Sequence, residues 1–547
     1  MYMRKETISL IVLSLLSAGL MSLPFLAPHC SIAALFGLVP LLCMNRIAEV
    51  HNIRRFWFWH YLTFVLWNAA TTFWVCNATV GGGLFAIFAN AFQMSLIFGL
   101  FRWSKKHFRG TLPYIFLAVM WIAWERFYLV DAEISWPWLV LGNSFASSVS
   151  LVQWYEYLGT LGGSLWIWAC NLAVFGLLCL LADDKWSRLN GKARFSAVTA
   201  TLLLFTAPMV ISEIMYRGHV ETDQPLDVII AQPNIDPYQK FQALTQDEQN
   251  AILEGQIRGA LANRDTSATS PVLILGPETF TSDIYTDNPE DSRTFARFTK
   301  LAAAYPGANI AIGATTRTLV FSRTRPSETA WEMGKGNGIW LESHNSALIT
   351  DGSGRYDICH KNCLVPGVEK MAYPKLLRPL DEKLGYVMGR YTGTGKPGLL
   401  NIGTADGTRI PFGCAICYES IYGEYCAGYI KEGARALTVI TNDAWWKDTP
   451  GYRQHLNFAA LRAIETRRDI ARCANTGISA IINQRGDIIV RTKWWERDVI
   501  EGRINLNDEI TFFVKNGDIV GKFSTFLFCL LLLALIARSF IPKSLRK

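Results

Sequence analysis

Long apolar runs fill most of the first 212 residues, and one more lies near the carboxyl end. Most of them approach the roughly 20 residues that an α-helix needs to cross a hydrocarbon layer about 30 Å thick. The pattern therefore predicts eight membrane-spanning helices. The runs lie near residues 7–27, 31–44, 58–76, 83–101, 112–130, 159–182, 196–212 and 523–541.

Short apolar runs separated by turns replace this pattern from residue 226 onward, which is typical of strands. Predicted strands or hairpins lie at 226–235, 271–280, 309–316, 436–443 and 478–490, and predicted helices at 245–263, 290–304 and 455–474. Strands that alternate with helices indicate an α/β domain with helices packed on sheets. We therefore predict a membrane domain over 1–212, an α/β domain over 213–520, and a last membrane helix with a short tail over 521–547.

Basic residues distinguish the two sides of the predicted membrane domain. Lys and Arg cluster before the first run, after the second, fourth and sixth runs and at the end of the chain, whereas the alternate loops hold almost none. The positive-inside rule then predicts that both termini are cytoplasmic and that 213–520 lies on the outer side. The formal net charge of +8 is largely accounted for by these cytoplasmic flanks, so it gives no indication of nucleic-acid binding.

Composition agrees with a partly membrane-embedded chain. Half of the 547 residues are hydrophobic, 19 are Trp, and the mean hydropathy is +0.18. Six of the twelve cysteines fall in the predicted exported domain, where disulfides can form. Their spacing does not resemble a regular disulfide framework, and a cysteine that acts as a nucleophile would have to stay free.

Chemically reactive residues follow several predicted strands or loops. The apolar run at 271–280 leads into Glu278, the segment 360–374 contains Lys361 and Glu369, and the run at 409–420 ends in Cys417 and Glu419. A thiol becomes a nucleophile when a neighbouring base or cation activates it. A carboxylate can take and return the proton, and a fixed ammonium can stabilise an oxyanion. Glu, Lys and Cys together are therefore suited to acyl transfer, with Glu369 able to hold the lysine charged and in place.

Three segments in this order, GPETF at 276–280, HKNCLVPGVE at 360–369 and CYES at 417–420, resemble the Glu–Lys–Cys motifs of the carbon–nitrogen hydrolase (nitrilase) superfamily. Joined to seven N-terminal and one C-terminal membrane helices, they resemble in particular its apolipoprotein N-acyltransferase family. Supporting segments are 136–146 and 153–171 in the membrane part, and QPNI, TNDAWW and 461–480 in the exported part.

The resemblance implies an αββα sandwich over 226–510 in a multi-pass protein of the bacterial inner membrane. It also implies a ping-pong reaction without cofactor or metal. Cys417 would take an acyl chain from the sn-1 ester of a phospholipid, and the N-terminal amine of a diacylglyceryl-cysteine lipoprotein would then accept it. Glu278 would act as general base. Lys361 and the backbone N–H of Tyr418 would support the oxyanion, with Glu369 and Glu419 around them. We expect a monomer with no nucleic-acid partner.

Aromatic residues near the substrate entrance are also implied. Trp445 matches such a position in the family, whereas the family's Trp ten residues past the Gln of QPNI is replaced by Phe241, with Tyr238 before it. The common VPFGEYVP segment is here VPGVEKMAYP, which keeps Glu369 eight residues after Lys361 but changes the loop that would meet lipid.

Three other interpretations use some of the same residues. A soluble-type amidase or nitrilase tethered to the membrane would share the triad, although one anchor would suffice for it. A zinc site could use Cys359, His360, Cys363, Cys414 and Cys417, but zinc would consume the nucleophile. A transporter with an exported binding domain would be expected to have ionisable groups inside its spans, and these spans are nearly free of charge.

Overall fold

A computed structural model describes residues 5–238, 240, 243–262, 264, 270–334, 336–383 and 389–541, without the side chains of residues 380 and 382. The chain divides into two compact units. The first comprises Met1–His219 together with Asn516–Lys547, and the second comprises Val220–Lys515. The first contains the apolar helices, and the second contains the sheets.

Seven helices among the described residues are long and apolar enough to cross a membrane, where the sequence predicts eight spans. The run predicted at 58–76 forms a shorter helix, Phe56–Thr72, because the chain turns before the next short helix, Val75–Ala78. Its 17 residues rise only about 26 Å at 1.5 Å per residue. The seven longer segments are Lys5–Leu26, Ser31–Val50, Val80–Ser104, Leu112–Val130, Tyr155–Ala182, Gly191–Gly218 and Ile519–Phe540.

Fourteen strands form two sheets in the described part of the second unit. The first sheet contains β1 Pro225–Gln232, β2 Val272–Leu275, β3 Thr281–Tyr285, β4 Ala308–Phe321, β5 Trp331–Glu332, β6 Ile339–Thr350, β7 Tyr356–His360 and β14 Asp498–Asn505. The second contains β8 Leu399–Gly403, β9 Arg409–Ile416, β10 Leu437–Thr441, β11 Ile470–Ala474, β12 Ala480–Ile482 and β13 Ile488–Arg491. The longer helices of this unit are Gln246–Ala262, Arg293–Ala303, Pro374–Lys383, Gly423–Lys431 and Pro450–Thr466.

The sheets pack face to face with helices on their outer faces, which confirms the predicted αββα sandwich. Successive side chains of a strand point to opposite faces of its sheet. In β1, Val228 and Ile230 accordingly join the core between the sheets, together with Ile416 and Ile440 of the second sheet. Ile229 of β1 faces outward and packs in the same cluster as residues of the helices Gln246–Ala262 and Arg293–Ala303. The helices Gly423–Lys431 and Pro450–Thr466 pack near the second sheet.

One predicted element is wrong. The sequence predicts one helix over 455–474, but the helix ends at Thr466, and Ile470–Ala474 forms β11, which pairs in parallel with β10. Arg467 ends the helix in the left-handed conformation with φ at 48°. No Gly or Pro marks this break, and a short apolar run does not by itself distinguish a buried strand from a continuing helix.

The carboxyl of Asp469, in the turn before β11, should make the stability of the fold depend on pH. Burial raises the pKa of its carboxyl to about 7, although the N–H of Asn505 opposes this shift. A carboxyl whose pKa is higher in the folded than in the unfolded state takes up a proton on folding, so its contribution to stability falls as pH rises from about 4 to about 7.

Asp469→Asn is therefore expected to raise the melting temperature at pH 8, by roughly 2–4 °C for each kcal/mol regained. The gain should shrink at pH 5, where the wild-type carboxyl is protonated in the folded state. Thermal unfolding of the detergent-solubilised protein at both pH values measures this difference. An equal change at both pH values would contradict the assignment.

Candidate active site

Three of the predicted residues follow strands whose carboxyl ends lie at one edge of the sandwich. Glu278 comes three residues after β2, Lys361 directly follows β7, and Cys417 directly follows β9. Hydrogen bonds to two buried carboxylates join the sheets at this edge. The N–H of Asn442, after β10, donates to Oε2 of Glu278 at 3.0 Å, and the N–H of Asn362, after β7, donates to Oε1 of Glu419 at 2.6 Å. The fold thus brings together residues that are far apart in the sequence.

Lys361 lies between two carboxylates. Its Nζ donates to Oε1 of Glu369 at 2.9 Å and to Oε1 of Glu278 at 3.2 Å, and its side chain is 1% exposed. Burial alone would favour the neutral amine, but the negative charges of Glu369 and Glu278 outweigh it and raise the pKa of Lys361. The lysine is therefore a fixed ammonium.

Asn345, in β6, is a further member of this cluster, and the sequence alone does not predict it. Its Nδ2 donates to Oε1 of Glu278 at 2.8 Å and to Oε1 of Glu369 at 3.1 Å, and its backbone carbonyl accepts the N–H of Lys361 at 2.8 Å. Two carboxylate acceptors require the NH₂ group on this side of the amide. The only signal in the sequence is a polar residue in a buried strand.

Cys417 occupies a sharp turn at the end of β9. Its φ is +54°, a left-handed conformation unusual for a residue with a side chain, and it begins the 3₁₀ turn Cys417–Ile421. Burial raises the pKa of its thiol, the charge of Glu278 raises it further, and Lys361 opposes both. The thiol is therefore protonated at neutral pH, and its use as a nucleophile requires a nearby proton acceptor.

Glu419 and Tyr418 lie buried beneath this turn. Oε2 of Glu419 accepts the N–H of Ile416 at 2.9 Å, and Oε1 accepts the N–H groups of Asn362 and Cys363 at 2.6 and 3.2 Å. The Glu419 side chain is fully buried, and the Tyr418 ring packs edge to face on Tyr422. Glu419 thus ties the segment after Lys361 to the residue before Cys417.

Replacing Glu419 by glutamine is expected to destabilise the second unit. One carboxylate oxygen would become an NH₂ group facing backbone N–H donors, which leaves at least one buried donor unsatisfied at a cost of about 1–3 kcal/mol. Thermal unfolding measures the loss. Glu424→Gln, on the partly exposed first turn of the following helix, is the matched control, and equal stability of both variants would contradict this prediction.

Two of the three predicted entrance aromatics contact each other. The rings of Tyr238 and Trp445 pack edge to face with centroids 5.2 Å apart, and both side chains are partly exposed, at 49% and 41%. Trp445 lies three residues after Asn442, whose N–H binds Glu278. Phe241 lies outside the described residues.

Lys240 is a second residue near Glu278 that the sequence alone does not predict. Its Nζ donates to the carbonyl of Thr279, directly after Glu278, and the side chain is buried. Burial lowers the pKa of Lys240 to about 8, although the charge of Glu278 opposes this shift. Thr279 has φ at +46°, so Lys240 holds a strained turn next to Glu278.

The cysteines and histidine of the zinc interpretation lie in different surroundings. Cys359 and Cys414 belong to the apolar core between the sheets. Nδ1 of His360 lies 2.7 Å from Oγ of Ser346, and its ring stacks on His344. Within the described ranges, no group of three or more His, Cys, Asp or Glu residues is arranged to hold a metal ion.

Family models match both parts of the chain. The carbon–nitrogen hydrolase model matches residues 232–511, and the apolipoprotein N-acyltransferase N-terminal domain matches residues 17–173. Apolipoprotein N-acyltransferase of Chlorobaculum tepidum is 27% identical over 521 residues, which cover 93% of each chain. That of Geobacter metallireducens is 27% identical over 525 residues, covering 93% of this chain and 92% of its own.

Among solved structures, Saccharomyces cerevisiae Nit3, a member of branch 10 of the nitrilase superfamily, is 15% identical with a TM-score of 0.36. That comparison covers 56% of this chain and 96% of the yeast chain. The sequence matches include both the sheet-containing unit and the apolar helices. The chain therefore belongs to the carbon–nitrogen hydrolase family, and over nearly its whole length it is similar to apolipoprotein N-acyltransferases.

Proposed function

We propose that this protein transfers an acyl chain from the sn-1 position of a phospholipid to the N-terminal amine of a diacylglyceryl-cysteine lipoprotein, through a thioester on Cys417. One observation carries the proposal. A buried ammonium, Lys361, lies within hydrogen-bond distance of Glu278 and Glu369, and both Glu278 and Lys361 influence the pKa of the thiol that follows β9. Base, oxyanion donor and nucleophile are therefore available together.

The first half-reaction acylates the enzyme. Glu278 accepts the thiol proton while Sγ of Cys417 attacks the sn-1 carbonyl carbon, because the partly buried thiol is not ionised beforehand. Lys361 and the N–H of Tyr418 stabilise the oxyanion of the tetrahedral intermediate. The intermediate then breaks its C–O bond, and Glu278 returns the proton to the departing glycerol oxygen. The products are a thioester on Cys417 and a lysophospholipid.

The second half-reaction uses the same groups. The uncharged amine of the lipoprotein attacks the thioester carbonyl, and Glu278 accepts a proton from the nitrogen as the C–N bond forms. The C–S bond then breaks, and the proton returns to the sulfur of Cys417. The product is an N-acylated lipoprotein, and the enzyme is restored without a cofactor. Because the lysophospholipid leaves first, the kinetics are ping-pong.

The proposal includes an orientation. Lys and Arg cluster in alternate loops between the apolar helices, which favours cytoplasmic termini and an outer location for residues 220–515. Fusing a reporter that is active only outside the cytoplasm to a residue near 220 should give a signal. The same reporter fused after residue 547 should give none.

The decisive experiment separates the two half-reactions. The purified protein is incubated with a phospholipid whose sn-1 and sn-2 chains differ in mass, and the intact protein is weighed by mass spectrometry. The expected mass increase equals the sn-1 acyl group and disappears after neutral hydroxylamine. Adding a diacylglyceryl-cysteine peptide should then remove the label and produce the N-acyl peptide.

Three other results would contradict parts of the proposal. An increase equal to the sn-2 chain would overturn the proposed donor position. A label without transfer to the peptide, accompanied by release of free fatty acid, would favour a membrane-tethered hydrolase. No label on the wild-type protein in the presence of phospholipid would overturn the thioester mechanism itself.

A further inference from the structure

Behind the Cys417 turn lies a buried group of polar side chains to which the acyl-transfer steps above give no role. The carbonyl oxygen of Cys417 accepts hydrogen bonds from Nε2 of His455 at 3.0 Å and from Oγ of Ser420 at 2.8 Å. His455 lies on the helix Pro450–Thr466 and is fully buried. Its Nδ1 is 3.0 Å from Oδ1 of Asp443, and Asp443 also accepts from Arg472 of β11 at 2.7 Å.

The charges of this group are determined by its contacts. Burial alone would raise the pKa of Asp443, but the positive charge of Arg472 outweighs it and lowers that pKa, so the carboxyl is ionised. Nε2 of His455 also lies 3.0 Å from Oγ of Ser420, and we assign a hydrogen to Nε2 because the carbonyl of Cys417 can only accept and Ser420 donates to that same carbonyl. Nδ1 then accepts from Nη2 of Arg472, which is 3.1 Å away. The imidazole is thus held between a fixed carboxylate and the backbone of the nucleophile.

We propose that the Asp443–His455 pair is a positioning device that holds the Cys417–Tyr418 peptide in the orientation needed for acyl transfer. The inference rests on the proposed function. The C=O and N–H of one trans peptide point in opposite directions. By fixing the carbonyl of Cys417 on the buried side, His455 directs the N–H of Tyr418 to the other side, where the oxyanion would form.

The left-handed turn itself requires such support. A non-glycine residue at φ +54° costs roughly 1–2 kcal/mol and persists only where its surroundings hold it. Two donors on the Cys417 carbonyl provide that support, one from the following turn and one from a separate helix. The same segment also reaches the base, because the N–H of Asn442, beside Asp443, binds Oε2 of Glu278. The segment Asn442–Asp443 therefore contacts both Glu278 directly and, through His455, the backbone of Cys417.

The test compares two replacements of His455 by the rate of thioester formation in the full-length protein. His455→Leu removes the donor and should slow acylation roughly 10- to 100-fold, the effect of a small misplacement of reacting groups. The KM for phospholipid should stay within about twofold, because no contact with the lipid is lost. His455→Gln can place an NH₂ group near the Nε2 position and should recover most of the rate.

Asn309→Ala is the matched control. Asn309 is as buried as His455, but it bonds to Gly403 across the sandwich, away from Cys417. This variant should lower the melting temperature and leave the acylation rate unchanged. If His455→Leu acylates at the wild-type rate, or if His455→Gln is as slow as His455→Leu, the inference is overturned.

Two further variants keep the test decisive if His455→Leu does not fold. Ser420→Ala removes the second donor to the Cys417 carbonyl, and Asp443→Asn removes the charge beside His455. Both should slow thioester formation, and wild-type rates in both would overturn the inference. Failure of the wild-type protein to form a thioester would instead count against the proposed function, so the two failures are distinguishable.

Discussion

Replacing Cys417 by serine is expected to abolish labelling of the protein by phospholipid and to reduce lipoprotein acylation by at least about 10³-fold, as loss of a nucleophile does in other covalent enzymes. The alcohol is far less acidic than the thiol, and burial among carboxylates already opposes ionisation at this position. Intact mass after incubation with phospholipid, with and without hydroxylamine, measures the loss directly.

Cys414→Ala is the matched control for this variant. Cys414 lies three residues earlier, in β9, and its side chain is buried in the core between the sheets. Losing one sulfur atom there should lower the melting temperature slightly and leave labelling intact. Full activity of Cys417→Ser together with loss of labelling in Cys414→Ala would show that Cys414, and not Cys417, is the nucleophile.

Replacing Lys361 by methionine is expected to affect both activity and stability. The variant loses the proposed oxyanion donor, and removing such a donor typically costs about 10²–10³ in kcat. It also leaves the carboxylates of Glu278 and Glu369 buried without their cation, and breaking a buried ion pair in this way costs about 3–5 kcal/mol. The thioester rate and the melting temperature should therefore fall together.

A double variant separates these two effects. In Lys361→Met/Glu369→Gln, one of the two unpaired charges is removed, so part of the lost stability should return while acylation stays slow. Lys431→Met, at the exposed end of the helix Gly423–Lys431, controls for loss of a lysine and should behave like the wild type. Recovery of acylation in the double variant would show that Lys361 acts only by neutralising Glu369.

The contacts around Lys361 also explain why part of this site could not be predicted. Asn345 is 67 residues from Glu278 in the sequence, and Asn442 is 164 residues from it, yet both donate to the Glu278 carboxylate. The hydrogen-bond partner of a polar residue inside a strand cannot be predicted from the local sequence, because it depends on strand order and register. Only the tertiary structure therefore identifies the contacts of Asn345, Lys240 and His455 with the site.

Local pattern was sufficient for much of the rest. The apolar runs mark the membrane helices because the required length is set by bilayer thickness. The predicted span at 58–76 is shorter in the structure, as the helix Phe56–Thr72, because the chain turns earlier than the apolar run ends. Continuous apolar runs in β1 and β2 are typical of strands buried on both faces, and core clusters lie on either side of that sheet. Glu278, Lys361 and Cys417 stand out because each ends an apolar run or loop.

The sequence by itself thus determined the division into apolar helices and an α/β unit, the sandwich class and the set of reactive residues, since these depend on periodicity and residue type over short spans. Only the tertiary structure decided that residues 470–474 form β11, that Cys417 is left-handed, and that His455 holds its carbonyl. The physical reason is the same in each case. Neighbours that are distant along the chain determine all three: whether a short apolar segment forms a strand, whether a residue other than glycine adopts a left-handed conformation, and which groups a buried hydrogen bond joins.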